Sequence, residues 1–179
     1  MTEGTPTGDD AFELESRRVI YQTIRSTPGI HFRELLRRTE YAQGTLQYHL
    51  KWMVNEGLIE RSEDGEFARY YPSGEFEIED KAVMDALRRE YSRRIIAHLA
   101  ADGPLSTSEL AERLGKSAST VSWHLSRLAD TGVVTKEREG RTVYYSLTDP
   151  HRVVRLFTVH QKSFTDRLLD RLIGLWEEY

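Results

Sequence analysis

The sequence predicts a mainly α-helical fold with small β-hairpins (α+β), arranged as two tandem copies of one small domain plus a C-terminal amphipathic helix. Three observations carry this. The chain repeats itself at a spacing of 75 residues, each copy holds helical apolar stripes ended by glycine, and a β-forming run follows each glycine.

At a shift of 75, Arg18 falls on Arg93, Ile20 on Ile95, Ile24 on Leu99, Glu34 on Glu109 and Leu35 on Leu110. The register continues without a gap through Thr45 and Thr120, His49 and His124, Leu50 and Leu125, Met53 and Leu128, Gly57 and Gly132. Helical periodicity alone would align only apolar positions, so the matched polar pairs make this a true duplication. Tyr70-Tyr71 and Tyr144-Tyr145 match at a shift of 74, which puts one extra residue into the first hairpin.

Each copy opens with a helix, about 16–26 and about 80–101, ended by Pro28-Gly29 or Gly103-Pro104. A short second helix follows. In the second copy Ser106 and Glu109 have capping-box spacing; His31 replaces that serine in the first copy, which predicts a weaker cap. The third helix spans about 44–56 and about 119–131. Its apolar residues Leu46, Leu50 and Met53, or Val121, Leu125 and Leu128, recur at i, i+4 and i+7 on one face. Gly57 and Gly132 close these helices in the left-handed conformation. A two-stranded hairpin then turns at Gly65 or Gly140. The predicted divisions are an acidic flexible tail at 1–15, first domain at 16–76, second domain at 77–149 and C-terminal helix at 150–179. The stretch from about 79 to 101 reads as one continuous linking helix, with Arg88-Arg89 and Arg93-Arg94 on a solvated face.

Composition bounds the function. The absence of cysteine excludes disulfides, thiolate nucleophiles and thiolate metal sites. No apolar run approaches the roughly 20 residues that span a bilayer, and the acidic N-terminus does not resemble a signal peptide, so a cytoplasmic protein without a membrane partner is expected. The net charge of −4 is unevenly distributed. Residues 16–61 hold eight Lys/Arg against four Asp/Glu, residues 62–80 hold seven acids and one base, and residues 81–148 return to eleven bases against eight acids. No phosphate loop, metalloprotease histidine pair or nucleophile elbow is present, so no enzyme is predicted.

The segment STSELAERLGKSASTVSWHLSRLADTGVVTKEREGRTVYYSLT, Ser106 to Thr148, resembles winged helix-turn-helix regulators of the ArsR and MarR type and their tandem archaeal relatives. FRELLRRTEYAQGTLQYHLKWMVNEGLIERSEDGEFARYY, Phe32 to Tyr71, is similar with more departures. The resemblance implies two tandem winged helix-turn-helix domains, a transcription regulator and double-stranded DNA as partner. A major-groove helix needs small polar side chains along its outward N-terminal half. In the second copy Ser117, Ser119, Thr120 and Ser122 meet that need, with the aromatic Trp123 beside them for sugar or thymine methyl, Ser126 and Arg127 a turn later, and Lys136, Arg138 and Arg141 in the wing for phosphate or minor groove. The first-copy counterparts are Gln43, Thr45, Gln47, Tyr48 and Lys51, of which Gln47 suits adenine. Ser62-Glu63-Asp64-Gly65-Glu66 puts three acids in the first wing, so the second copy is expected to be the principal reader. His49 and His124 read as hydrogen-bonded residues at the core boundary.

After Pro150, the residues Val153, Phe157, Phe164, Leu168, Leu172 and Leu175, broadened by Trp176, form an apolar stripe assigned to homodimerisation. Packing of that stripe on its own domains is the alternative. Asp149, His151 and His160 do not close a metal site, so no metal and no cofactor are expected, and the sequence names no small-molecule effector. Two other functions stay open: a sequence-independent chromatin protein, and a winged-helix interaction scaffold that does not touch DNA.

Overall fold

A computed structural model describes residues 8–63 and 67–164. The chain divides into two compact units, Met1–Glu77 and Ile78–Tyr179.

Unit one runs α1 (Gly8–Ser26), β1 (Ile30–His31), α2 (Phe32–Thr39), α3 (Gln43–Asn55), β2 (Ile59–Glu63) and β3 (Ala68–Pro72). Unit two runs α4 (Ile78–Leu87), α5 (Glu90–Asp102), β4 (Leu105–Ser106), α6 (Thr107–Leu114), α7 (Ala118–Asp130), β5 (Val134–Glu139), β6 (Thr142–Leu147) and α8 (Pro150–His160). The repeat is structural as well as textual: β1, α2, α3 and β2 begin 75 residues before β4, α6, α7 and β5, and β3 begins 74 before β6.

Each hairpin gains a third strand that the two-stranded reading missed. The orders are β1-β3-β2 and β4-β6-β5, all antiparallel, with Ile30 opposite Tyr70 and Leu105 opposite Tyr145. Both β1 and β4 are two residues long, too short to show alternation.

The cores follow the repeat. Ile20 and Ile24 of α1 pack with Ile30, Leu35, Leu46, Leu50, Met53 and Ile59 in unit one. Their equivalents Ile95, Leu99, Leu105, Leu110, Val121, Leu125, Leu128 and Val134 are buried in unit two. Each such side chain contributes roughly 1.5–3 kcal/mol by leaving water. Gly57 and Gly132, at φ 69° and 73°, let the chain turn out of α3 and α7 into the hairpins.

The Ser106 capping box forms: Glu109 N–H donates to Ser106 Oγ at 3.3 Å, and Ser106 N–H donates to Glu109 Oε2 at 2.7 Å. In unit one the cap expected to be weak is supplied by imidazole, since His31 Nδ1 accepts from Glu34 N–H at 3.1 Å. Burial, helped by nearby Arg69, lowers the His31 pKa and keeps that lone pair available.

Four expectations are corrected. The acidic stretch read as a flexible tail is helical from Gly8 onward, and within α1 Arg18 donates to Glu15 at 2.8 Å. The linking helix is not continuous: α4 ends at Leu87 and α5 restarts at Glu90 after an extended Arg89. Two arginines hold this break. Arg93, buried rather than solvated, donates to the Leu87 carbonyl at 2.7 Å, and Arg88 donates to the Ser163 carbonyl at 2.6 Å and to its Oγ at 2.9 Å.

The C-terminal helix also stops early, at His160, where a short 3-10 turn (Gln161–Ser163) leads into extended Phe164. Finally, Val153, Phe157 and Phe164 are already covered within unit two, at 2%, 4% and 8% exposure, so they offer no surface to a second copy. Phe164 stacks on Phe157 with centroids 5.7 Å apart, and the Arg88 guanidinium lies over the Phe164 ring. Buried Asp80 of α4 accepts from Arg152 at 3.1 Å and Arg155 at 2.8 Å, tying α8 down. Leu168, Leu172, Leu175 and Trp176 lie outside the described residues.

Candidate nucleic-acid interface

In unit two, α7 starts from Ser117, whose Oγ accepts from Thr120 N–H at 3.3 Å. The hydroxyls of Ser117, Ser119 and Thr120 form a chain, with Ser117 Oγ 3.0 Å from Ser119 Oγ and 2.8 Å from Thr120 Oγ1. All three residues are exposed, as are Ser122 and Ser126 one and two turns along. The opposite face carries Val121, Leu125 and Leu128 into the core. A polar edge is therefore held rigidly by an apolar one, which is the arrangement a groove-reading helix requires.

Trp123 is 53% exposed despite its size. Its ring stands edge-on to His124 at 4.8 Å, and the Arg127 guanidinium lies 5.1 Å from its centroid. Beneath it, half-buried His124 also meets Tyr91 at 5.5 Å, and its Nδ1 is buried without a hydrogen-bond partner. The hydrogen-bonded boundary role expected for His124 is thus corrected to an aromatic support. Burial, with smaller contributions from Arg127 and Arg89, lowers its pKa below the ordinary histidine value. Lys116, which the sequence reading passed over, sits exposed just before α7 with its ammonium 5.1 Å from the Tyr91 ring.

The wing sorts its charges by strand alternation. Lys136 and Arg138 share the face of Val134 and lie opposite Tyr145 and Val143, whereas Glu137 and Glu139 occupy the other face opposite Tyr144 and Thr142. Arg138 Nε donates to the Gly140 carbonyl at 3.1 Å, which steadies the guanidinium at the turn, and Arg141 follows, exposed. A count of bases and acids along the hairpin hides this separation.

In unit one, Gln43, Gln47, Tyr48 and Lys51 are exposed along α3, while Thr45 is half-buried. Tyr48, 53% exposed, stands edge-on to His49 at 5.2 Å, repeating the Trp123–His124 pair. His49 is buried in the core rather than at its edge. The N-terminus of α3 has no side-chain cap, since Ala42 stands where α7 has Ser117. The wing differs most. Arg61 and Glu63, counterparts of Lys136 and Arg138, form an ion pair of 2.7 Å, so two cations at these positions in one copy become a cation and an acid paired with each other in the other.

Two family profiles match the chain. One, described as an N-terminal HTH domain, covers residues 14–84, and the other, winged helix-turn-helix DNA-binding, covers residues 88–135. A cadmium resistance transcriptional regulatory protein CadC homolog of Staphylococcus aureus is 33% identical over 83 residues, 45% of this chain and 69% of that protein. The chain belongs to the ArsR-like winged helix-turn-helix transcriptional regulators. Within that family, an HTH-type transcriptional regulator of Methanocaldococcus jannaschii is 31% identical over 73% of this chain, and the chain spans 33% of its length. The regulator NmtR of Mycobacterium tuberculosis is 42% identical over 34% of this chain and 50% of its own. Among solved structures, reduced HlyU from Vibrio cholerae matches at 30% identity and TM-score 0.41, covering 46% of this chain and 86% of that one.

Among the described residues, no group of three or more histidines and carboxylates comes together as a metal site, and no helix is long and apolar enough to cross a membrane.

Proposed function

We infer that the protein is a sequence-specific double-stranded DNA-binding regulator whose second unit is the principal reader. One observation carries the reading: in unit two the exposed hydroxyl edge of α7 is accompanied by a wing face that presents Lys136 and Arg138 while turning Glu137 and Glu139 away. Ser119, Thr120 and Ser122 then meet base edges, Trp123 meets thymine methyl or sugar, and Ser117, Ser126 and Arg127 flank them. Lys136, Arg138 and Arg141 take phosphate or minor groove. Gln43, Gln47, Tyr48 and Lys51 of α3 form a secondary surface, joined by the half-buried Thr45.

Two chains acting as a homodimer suit paired half-sites about one helical turn apart. Exposed Val154 and Val159 on α8 leave apolar side chains for such a pairing after Val153 and Phe157 have turned inward.

The test is selection of bound duplexes from a random library, with the mass of the free protein and of its complex measured by light scattering. A recovered inverted repeat bound by two chains is expected. Binding with no preferred sequence would transfer the protein to the chromatin class, and recovery of no DNA would leave the interaction scaffold.

A further inference from the structure

We propose that the cleft between α3 and the hairpin of unit one binds a small apolar carboxylate, such as a one-ring aryl acid. The cleft measures about 410 Å³, within the range of small-molecule sites. Its apolar walls come from Phe32, Leu50, Val54 and Tyr70. Its polar rim runs along one edge of α3, where Gln47, Lys51 and Asn55 succeed one another at intervals of four, and faces Arg61 of β2. The Lys51 ammonium has no ion-pair or hydrogen-bond partner among the described residues. Arg61 is already engaged with Glu63, so Lys51 is the cation left for a ligand carboxylate, with the Gln47 and Asn55 amides as donors one turn to either side.

The two copies diverge where this cleft lies and agree beneath it. Leu46, His49, Leu50 and Met53 match Val121, His124, Leu125 and Leu128 in the core. The cleft positions Phe32, Gln47, Lys51 and Val54 stand where the second copy has Thr107, Ser122, Ser126 and Ala129. Unit one has thus acquired larger apolar walls and a free cation on a helix edge that unit two keeps small and hydroxylic. The inference rests on the proposed function only in that Gln47 and Lys51 belong to the secondary DNA surface; an acid seated on them withdraws them from the groove.

The test uses the full ¹⁵N-labelled chain without DNA, so its outcome is independent of the DNA reading. Sodium phenylacetate is titrated to about 10 mM, ten times a millimolar Kd, beside phenylacetamide and benzylamine. Saturable shifts of the Gln47 and Asn55 side-chain amides and of the β3 backbone are expected with phenylacetate. The amine should produce none, the amide should bind at least tenfold more weakly, and Lys51→Glu should weaken phenylacetate at least tenfold. Val54→Trp, which fills the cleft from an independent position, should abolish the shifts. The proposal is overturned by no saturable shift with phenylacetate, by equal shifts with benzylamine, by unchanged affinity in Lys51→Glu, or by shifts confined to unit two.

Discussion

Reversing Arg138 and Arg141 together to glutamate tests the wing assignment through its electrostatics. Both side chains are exposed, and Arg138 donates to the carbonyl of Gly140 in its own turn, so the fold should tolerate the change. Each phosphate neutralised on duplex DNA contributes about 0.9 to the slope of log affinity against log salt. Losing two contacts lowers that slope by about 1.8, so the ratio of wild-type to variant affinity shrinks about twelvefold between about 50 and 200 mM salt. Fluorescence anisotropy with a labelled duplex at four or five salt concentrations measures this directly. A second variant, Glu137→Lys with Glu139→Lys, adds positive charge to the opposite face of the same strand and should change the slope much less. An unchanged slope in the arginine variant, or an equal and opposite change in the glutamate variant, would refute the facing of the wing.

Three further outcomes are expected. Leu125→Ala removes a fully buried α7 side chain and should destabilise unit two by about 2–5 kcal/mol, measured by denaturant unfolding followed at a unit-two probe. Ser106→Ala should cost about 1 kcal/mol through the lost cap. It should also flatten the acid limb of the stability profile: hydrogen bonds from the Ser106 backbone and hydroxyl hold the Glu109 pKa below the usual carboxylate value, so that stability is present above the ordinary value and lost as pH falls through the folded one. For His124 the folded pKa is lowered chiefly by burial, so its contribution is present above the ordinary histidine value and lost as pH falls through the folded one; an NMR titration of its ring should have a midpoint below that of an unstructured histidine, and a midpoint at or above it would contradict the placement between Tyr91 and Trp123.

The parts legible from sequence are those encoded locally. The duplicated stripe Leu46, Leu50, Met53 and Val121, Leu125, Leu128 defines both core-facing helices, and Gly57 and Gly132 mark their ends because few other residues take that conformation cheaply. The break between α4 and α5 was not legible, because Arg88 and Arg89 are good helix formers and the interruption is held by side-chain bonds that helical periodicity does not show, from Arg93 back to the Leu87 carbonyl and from Arg88 to the distant Ser163 carbonyl. An amphipathic stripe in α8 announces burial but does not name the surface that supplies it; Asp80 of α4, seventy-two residues before Arg152, supplies that anchor. The wing polarity depends on which strand face Lys136 shares, and that follows from a register fixed by Val134 and Leu147 meeting over the core.

The strand orders leave β5 as the outer edge of its sheet, with β4 covering the far side of β6. An uncovered strand is a template on which other chains can add, and the common defence is charge along it. The run Lys136-Glu137-Arg138-Glu139 places a charge at each of four consecutive positions of that edge. Lys136 and Arg138 on one face of the strand and Glu137 and Glu139 on the other therefore act together as a guard against fibrous self-association. A wing rebuilt from threonine and valine would shed these charges and gain a tendency to aggregate in the same step.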